Sequence, residues 1–226
     1  MMSAARQAIH TACLRAAAAA GVLGIAACIP PHVPPPMEFY NAYSVPAERP
    51  HDTASVRVKV SLGAQRAYLT EGDRVLMVMP VTVGREESPT PEGEFCITRK
   101  VERHRSPTHG FAVRGDDVRR SRASEVEAGW RFVGMPLPYW CEIAPGVGFH
   151  TGWIRHQPAS DRTIRMHRNV APVFFLMVDV GTPVSIAYSH PEDETHGFIP
   201  LPPDSGPLTD YPKAYYLGDG YFRPAP

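Results

Sequence analysis

Nothing in these 226 residues is long and apolar enough to span a bilayer as a helix, and neither sign of charge dominates. Lysine and arginine together number 23, and so do aspartate and glutamate. No run of basic residues interleaved with aromatics stands out, so nucleic acid is not an expected partner. Cysteine is scarce, at four residues, and no cysteine pair or HExxH helix accompanies the histidines. His150, His156 and His167 are irregularly spaced, and His104 and His109 fall in a polar stretch. No metal site and no cofactor is expected, and surface or turn positions account for these histidines. No internal repeat is visible.

What is present begins with an address. Arg6 and Arg15 bracket a basic N-terminal region, and Ala16 to Ala27 (AAAAAGVLGIAA) is a short apolar run flanked as in a signal peptide. Ile25-Ala26-Ala27-Cys28 resembles the lipobox of bacterial lipoproteins. The resemblance implies removal of residues 1–27 and lipidation of Cys28 as the first mature residue. With Ile29 rather than aspartate next, it implies an outer-membrane anchor facing the periplasm. The alternative is an ordinary secretory signal that leaves Cys28 a free thiol. The remaining chain has a slight acid excess and length enough for one well-buried domain with tails. In an oxidising compartment Cys96 and Cys141 form either a disulfide or two buried thiols, and the sequence favours neither.

Residues 28–54 (PPHVPPP and further prolines) read as an extended tether between lipid and domain. Order is expected from Val56, where VRVKVSL sets Val56, Val58, Val60 and Leu62 on one face. RAYLTEGDRVLMVMPVTVG reads as two strands around Glu71-Gly72-Asp73, and PEGEFCITRKV adds another. Lys100 to Trp130 is polar and irregular and is expected to be a long inserted loop. LPYWCEIAPGVGFHTG reads as a hairpin; a turn centred on Pro145 sets Trp140 across from His150 and Cys141 across from Phe149, facing away from the histidine. NVAPVFFLMV has helical spacing with Asn169 as N-cap, and VGTPVSIAY closes a domain assigned to residues 55–188. The tail, 189–226, is rich in proline and tyrosine, and Tyr211, Tyr215, Tyr216 and Tyr221 suggest that it packs on the surface. Many strands and one convincing helix indicate a mainly β domain.

Three segments in order resemble the L,D-transpeptidase catalytic domain (YkuD-like) family of peptidoglycan-crosslinking enzymes. Thr90-Pro91-Glu92-Gly93-Glu94-Phe95 matches a Thr-Pro-x-Gly-x-Phe signature. GMPLPYWCEIAPGVGFHTG is similar to the strand that leads to the family's catalytic histidine, here His150. PASDRTIRM, a helix and GTPVSI resemble the Pro-Ala-Ser-His-Gly-Cys-(Ile/Val)-Arg motif with its helix and last strand. The resemblance covers roughly Val56 to Tyr188 and implies a β-sandwich with one helix after the site motif. It implies His150 as base, Ser160 as the motif serine, and Ile164 and Arg165 as the residues after the nucleophile.

The centre of the motif departs from the family. Asp161 stands where the family has histidine, Arg162 where it has glycine, and Thr163 where it has the cysteine nucleophile. The family attacks the carbonyl between a diamino acid and a terminal D-alanine of a stem peptide, through a thioester. A thiol of pKa about 8.5 is readily activated beside an imidazole, whereas an alcohol is far less acidic. Threonine nucleophiles usually rely on an N-terminal amine, which an internal Thr163 lacks. Glycine beside the nucleophile permits dihedrals that strain other residues, and the neighbouring backbone N–H groups are expected to form an oxyanion hole. The sequence thus leads to a lipoprotein that binds stem peptides without transpeptidation, with Arg165, Arg162 and Trp140 as substrate-binding residues. Alternatives are an active transpeptidase or carboxypeptidase using Thr163 with His150 as base, or a scaffold that binds a cell-wall enzyme. In a loop released from catalysis, Asp161 and Arg165 are expected to pair.

Overall fold

The computed structural model describes residues 36–223. Helix α1 covers Pro36–Ala42, followed by β1 (Val56–Ser61), β2 (Arg66–Glu71), β3 (Arg74–Thr82) and β4 (Gly93–Cys96). Two long strands, β5 (Arg99–Arg114) and β7 (Arg131–Ala144), enclose β6 (Asp117–Arg122) in sequence, and β8 (Val147–Thr151) and β9 (Ile164–Met166) follow. Helix α2 (Ala171–Met177) leads to β10 (Pro183–Ala187), and α3 (Glu192–Thr195) and α4 (Lys213–Leu217) lie in the C-terminal segment. The domain is mainly β, and α2 is the helix that follows the site motif.

The strands join in the order β4-β10-β1-β2-β3-β9-β8-β7-β5-β6. The alternation in VRVKVSL does what its period requires: Val56, Val58 and Val60 are buried while Arg57 is exposed. The Glu71-Gly72-Asp73 turn links β2 and β3, with Gly72 at a left-handed φ of 58°. Strand β3 belongs to both halves of the sheet, pairing with β2 on one side and β9 on the other. Val58, Leu69 and Met79 from one half meet Phe149, Ile164 and Met166 from the other in a single core, closed by Phe174 of α2. Burying each such side chain contributes about 1.5–3 kcal/mol, which fixes the register of the strands that carry the site.

Several expectations change. Lys100 to Trp130 is no loop: β5 pairs with β7 along most of its length and with β6 on its other edge. Phe111 and Ala112 are fully buried, but most of β5 and β6 is exposed or half-buried, so no alternating pattern marks them. From Pro36 onward the proline-rich stretch is not an extended spacer. Tyr40 of α1 is 2% exposed, its hydroxyl accepts from the Ile154 N–H at 3.0 Å, and Glu48 donates to the Leu76 carbonyl at 2.8 Å. Residues 1–35, including Cys28 and the proposed signal, lie outside the described residues.

The N-cap of α2 is Val170, and Asn169 does something else: its amide donates to the carbonyls of Asn41 and Tyr43 at 2.7 and 2.9 Å. It therefore pins the end of α1 to the domain. Cys96 and Cys141 are both free thiols, Cys96 exposed and Cys141 buried in the core. The C-terminal segment packs against the strands, with the Arg105 guanidinium donating to the carbonyls of Tyr216, Leu217 and Gly218.

Candidate functional site

Strand β8 positions His150. Its neighbours are β7, where Cys141 pairs with Phe149, and β9, where Arg165 lies beside His150 in parallel register. Phe149 and Cys141 enter the core, so the pleat turns His150 and Trp140 to the other face, with their rings 6.1 Å apart. The His150 side chain is nearly buried, at 5% residue exposure. Its Nδ1 lies 2.8 Å from the Thr151 carbonyl, which can only accept, so Nδ1 carries the proton. The other nitrogen, Nε2, is then an acceptor and lies 2.9 Å from Thr163 Oγ1. Burial pushes the imidazole down to about 3, against the opposing effect of the Thr151 hydrogen bond.

Thr163 stands between two groups. Its hydroxyl proton points to His150 Nε2, so Ser160 Oγ, 2.6 Å away, donates to Thr163 Oγ1. The relay thus runs Ser160, Thr163, His150, Thr151 carbonyl. Ser160 is held from below by its own backbone, accepting from the Arg85 N–H at 3.0 Å and donating to the Val83 carbonyl at 2.9 Å. The turn that supports it is tight. Thr90 Oγ1 accepts from the Gly84 N–H at 2.8 Å, and a Cβ on Gly84 would lie 2.4 Å from the Ser88 carbonyl oxygen. Thr90, the first residue of the Thr-Pro-x-Gly-x-Phe stretch, therefore braces the turn beneath the nucleophile position, whereas Gly93–Phe95 run into β4 and pair with β10.

The three departures from the family motif are each engaged. Arg162, at the position of the resembled motif's glycine, has a left-handed backbone at φ 60°, and its N–H donates to the Ser88 carbonyl at 3.0 Å. The Asp161 carboxylate accepts a hydrogen bond from the Ser88 hydroxyl, which holds it below the usual carboxylate range, and lies 3.4 Å from His109 Nε2 of β5. The expected pairing of Asp161 with Arg165 does not form. Arg165 instead donates to the Ala159 carbonyl at 2.9 Å, and its aliphatic stem lies close to Gly152. Cys141 is no substitute nucleophile: burial pushes its thiol up to about 12.

These groups face a groove of about 860 Å³. Arg85, Arg120, Arg122, Arg155, Arg162 and Arg165 line it, against Glu142, Asp161 and Asp210 among the acids. Arg120 pairs with Asp210 and Arg155 with Asp204, whereas Arg162 and Arg165 make no ion pair with a carboxylate among the described residues. Trp140 forms part of the wall, its ring tilted against that of His104 at 5.0 Å, and its indole N–H has no partner among the described residues. Among the described residues no group of three or more His, Cys, Asp or Glu side chains is gathered as for a metal. His156 bonds to the Pro202 carbonyl, and His167 bonds to the Tyr40 carbonyl. His167 is fully buried rather than on a surface or turn, and burial holds its imidazole down to about 4.

Sequence reasoning missed Ser88, His109 and the C-terminal wall of Asp210, Tyr216 and Tyr221. The first two carry no local pattern, because they meet Asp161 only through the fold. The tyrosines were visible as a cluster, but their place beside the groove was not.

A family model described as L,D-transpeptidase catalytic domain (YkuD) matches residues 55–186. A Bacillus licheniformis protein carrying the name L,D-transpeptidase YkuD is 38% identical over 56 residues, which is 25% of this chain and 34% of that protein. The match therefore spans about a third of the curated relative's length. Among solved structures, an L,D-transpeptidase from Mycobacterium smegmatis aligns with a TM-score of 0.46 at 17% identity, over 59% of this chain and 58% of that one. One from Stackebrandtia nassauensis aligns with a TM-score of 0.46 at 19% identity, over 69% and 66% of the two chains.

Proposed function

Because the chain belongs to the L,D-transpeptidase catalytic domain (YkuD) family, we propose that it binds peptidoglycan stem peptides in the groove beside His150 without carrying out acyl transfer. The observation that carries this reading is the pairing of Thr163 with His150. A weakly acidic alcohol faces an imidazole held down to about 3. A general base works best with a pKa near the operating pH, so this base is poorly matched to the hardest of the available nucleophiles. The Arg162 N–H beside the nucleophile is engaged by Ser88, which removes a donor from the place where an oxyanion would develop.

What remains suits binding. Arg162 and Arg165 offer guanidinium groups free of carboxylate partners among the described residues, and a stem peptide brings carboxylates. The reading includes anchorage through a lipid on Cys28 and a periplasmic position, supported by the Ile25–Cys28 stretch. The test is cosedimentation of the purified chain with isolated sacculi. The chain is expected to pellet with them and Arg162→Glu to lose most of that binding. A chain that stays in solution at every salt concentration refutes the proposal.

One observation favours a second reading. The Ser160–Thr163–His150 relay has the contacts of an activated hydroxyl, at 2.6 and 2.9 Å. If it works as one, the protein releases D-alanine from tetrapeptide stems, and Thr163→Ala abolishes the release.

A further inference from the structure

Around the end of β8 and the start of α2, where Thr151, Trp153, Asn169 and Pro172 come together, lies a second cavity of about 360 Å³. It adjoins the groove, because Thr151, Gly152, Trp153 and Tyr221 line both. We propose that this cavity binds an amino-sugar ring of the glycan to which a stem peptide in the groove is attached. The proposal rests on the peptide-binding reading above and extends it to the substrate's carbohydrate.

Three features carry it. The first is the wall. Tyr40 and Trp153 meet at 5.0 Å between ring centroids, and Trp153 stacks on Tyr211 at 4.9 Å, so the aromatic lining is braced before any ligand arrives. A sugar ring offers an apolar C–H face to such a lining and hydroxyl and amide groups at its rim, a combination that suits a mostly apolar pocket with a few placed polar groups.

The second feature is an unanswered polar group. Thr151 is 8% exposed, and its hydroxyl has no hydrogen-bond partner among the described residues, an arrangement that folding alone disfavours. Arg168 and Asn169 also line the cavity. The Arg168 guanidinium donates to the Tyr211 hydroxyl at 2.8 Å, which aligns it along the aromatic wall. Tyr139, another lining residue, is held at φ 58°, a conformation that bulky residues adopt only when surrounding packing enforces it.

The third feature is the origin of the wall. The family model matches residues 55–186, whereas Tyr40 precedes that span and Tyr211, Tyr221 and Phe222 follow it. Both flanking segments fold back to build one cavity at the edge of the peptide groove. This accounts for the packing of an N-terminal stretch whose proline content otherwise suggests an extended tether, and gives the packed tyrosines of the tail a place.

The test is calorimetric titration of the chain with three probes: the disaccharide of N-acetylglucosamine and N-acetylmuramic acid, the free tetrapeptide stem, and the disaccharide carrying that tetrapeptide. The glycosylated peptide is expected to bind about tenfold or more tighter than the free peptide, equivalent to about 1.4 kcal/mol. Arg168→Gln, which touches the cavity and not the groove, should lose most of that advantage and leave affinity for the free peptide unchanged. Thr151→Val removes only an unpartnered buried hydroxyl, and it should also weaken the glycosylated probe, which guards against misfolding of the arginine variant. Equal affinity for glycosylated and free peptide in the wild type overturns the sugar site and leaves peptide binding standing. Binding of the disaccharide without the free peptide supports the sugar site and overturns the peptide reading. Failure of all three probes overturns both.

Discussion

At the scale of single residues, Arg162 is the most telling position. A non-glycine residue in the left-handed region costs about 1–2 kcal/mol, and Arg162 holds that conformation at φ 60° without glycine's freedom. Arg162→Gly is therefore expected to raise the stability of the domain by about 1 kcal/mol in urea unfolding, while weakening attachment to sacculi. Unchanged or lower stability would mean that the guanidinium contributes more to the fold than its backbone takes away. The histidines give a second prediction. His104, His150 and His167 are all depressed, chiefly by burial, so below their ordinary pKa of about 6.5 the unfolded chain binds protons that the folded chain refuses. Stability is then fully present above about pH 6.5 and is lost as the pH falls toward 4, by up to about 1.4 kcal/mol per pH unit for each of the buried pair His150 and His167, with the more exposed His104 contributing less. The carboxylates with lowered values act only at more acid pH, so thermal unfolding between pH 7 and 5 isolates the histidines. A flat melting temperature across that interval contradicts the buried, neutral state of His150 and His167.

Elements differ in how much of them can be seen in a sequence. Strands β1 to β3 and β10 were legible because each buries one face or both, which leaves valine, leucine and methionine in readable order. The hairpin of β7 and β8 was legible in its pairing of Cys141 with Phe149, but not in the register shift between Glu142 and Ala144. Strands β5 and β6 were not, because β5 is held mainly by edge-to-edge pairing with β7, and β6 by pairing with β5, with little of either buried. Helix α1 escaped for a related reason: one residue, Tyr40, carries its burial. At the site, the positions of His150, Ser160 and Thr163 followed from the motif, whereas Ser88 and His109 depended on a turn and a hairpin that sequence spacing does not bring together. The turn itself can be tested. A Cβ at Gly84 would fall within 2.5 Å of the Thr90 nitrogen as well as against Ser88, backbone atoms that cannot swing aside. Gly84→Ala is expected to destabilise the protein by about 1–3 kcal/mol, read by thermal unfolding. A melting temperature equal to wild type would show that the turn is looser than its contacts imply.

For the molecule as a whole, the segments outside the family match are part of the structure. The N-terminal stretch from Pro36 and the C-terminal segment to Arg223 pack against one domain; the first lends Tyr40 to the smaller cavity, and the second lines both cavities. If Cys28 is the anchor, Cys28→Ser should move the protein from the membrane fraction to the soluble periplasmic fraction on cell fractionation. A wild-type protein found in the soluble fraction would remove the anchor from the proposal and leave the groove untouched.

The central claim is that the site binds the family's substrate and has given up its chemistry. Liquid chromatography with mass detection of D-alanine released from disaccharide-tetrapeptide tests it most directly, comparing wild type with the triple change Asp161→His/Arg162→Gly/Thr163→Cys. The triple change restores a thiol beside His150, removes the strained backbone at residue 162 and leaves the surrounding strands alone. The proposal requires no release above background by the wild type and measurable release, or crosslinked product, by the triple variant. Steady release by the wild type that disappears in Thr163→Ala would contradict it and make Thr163 a working nucleophile.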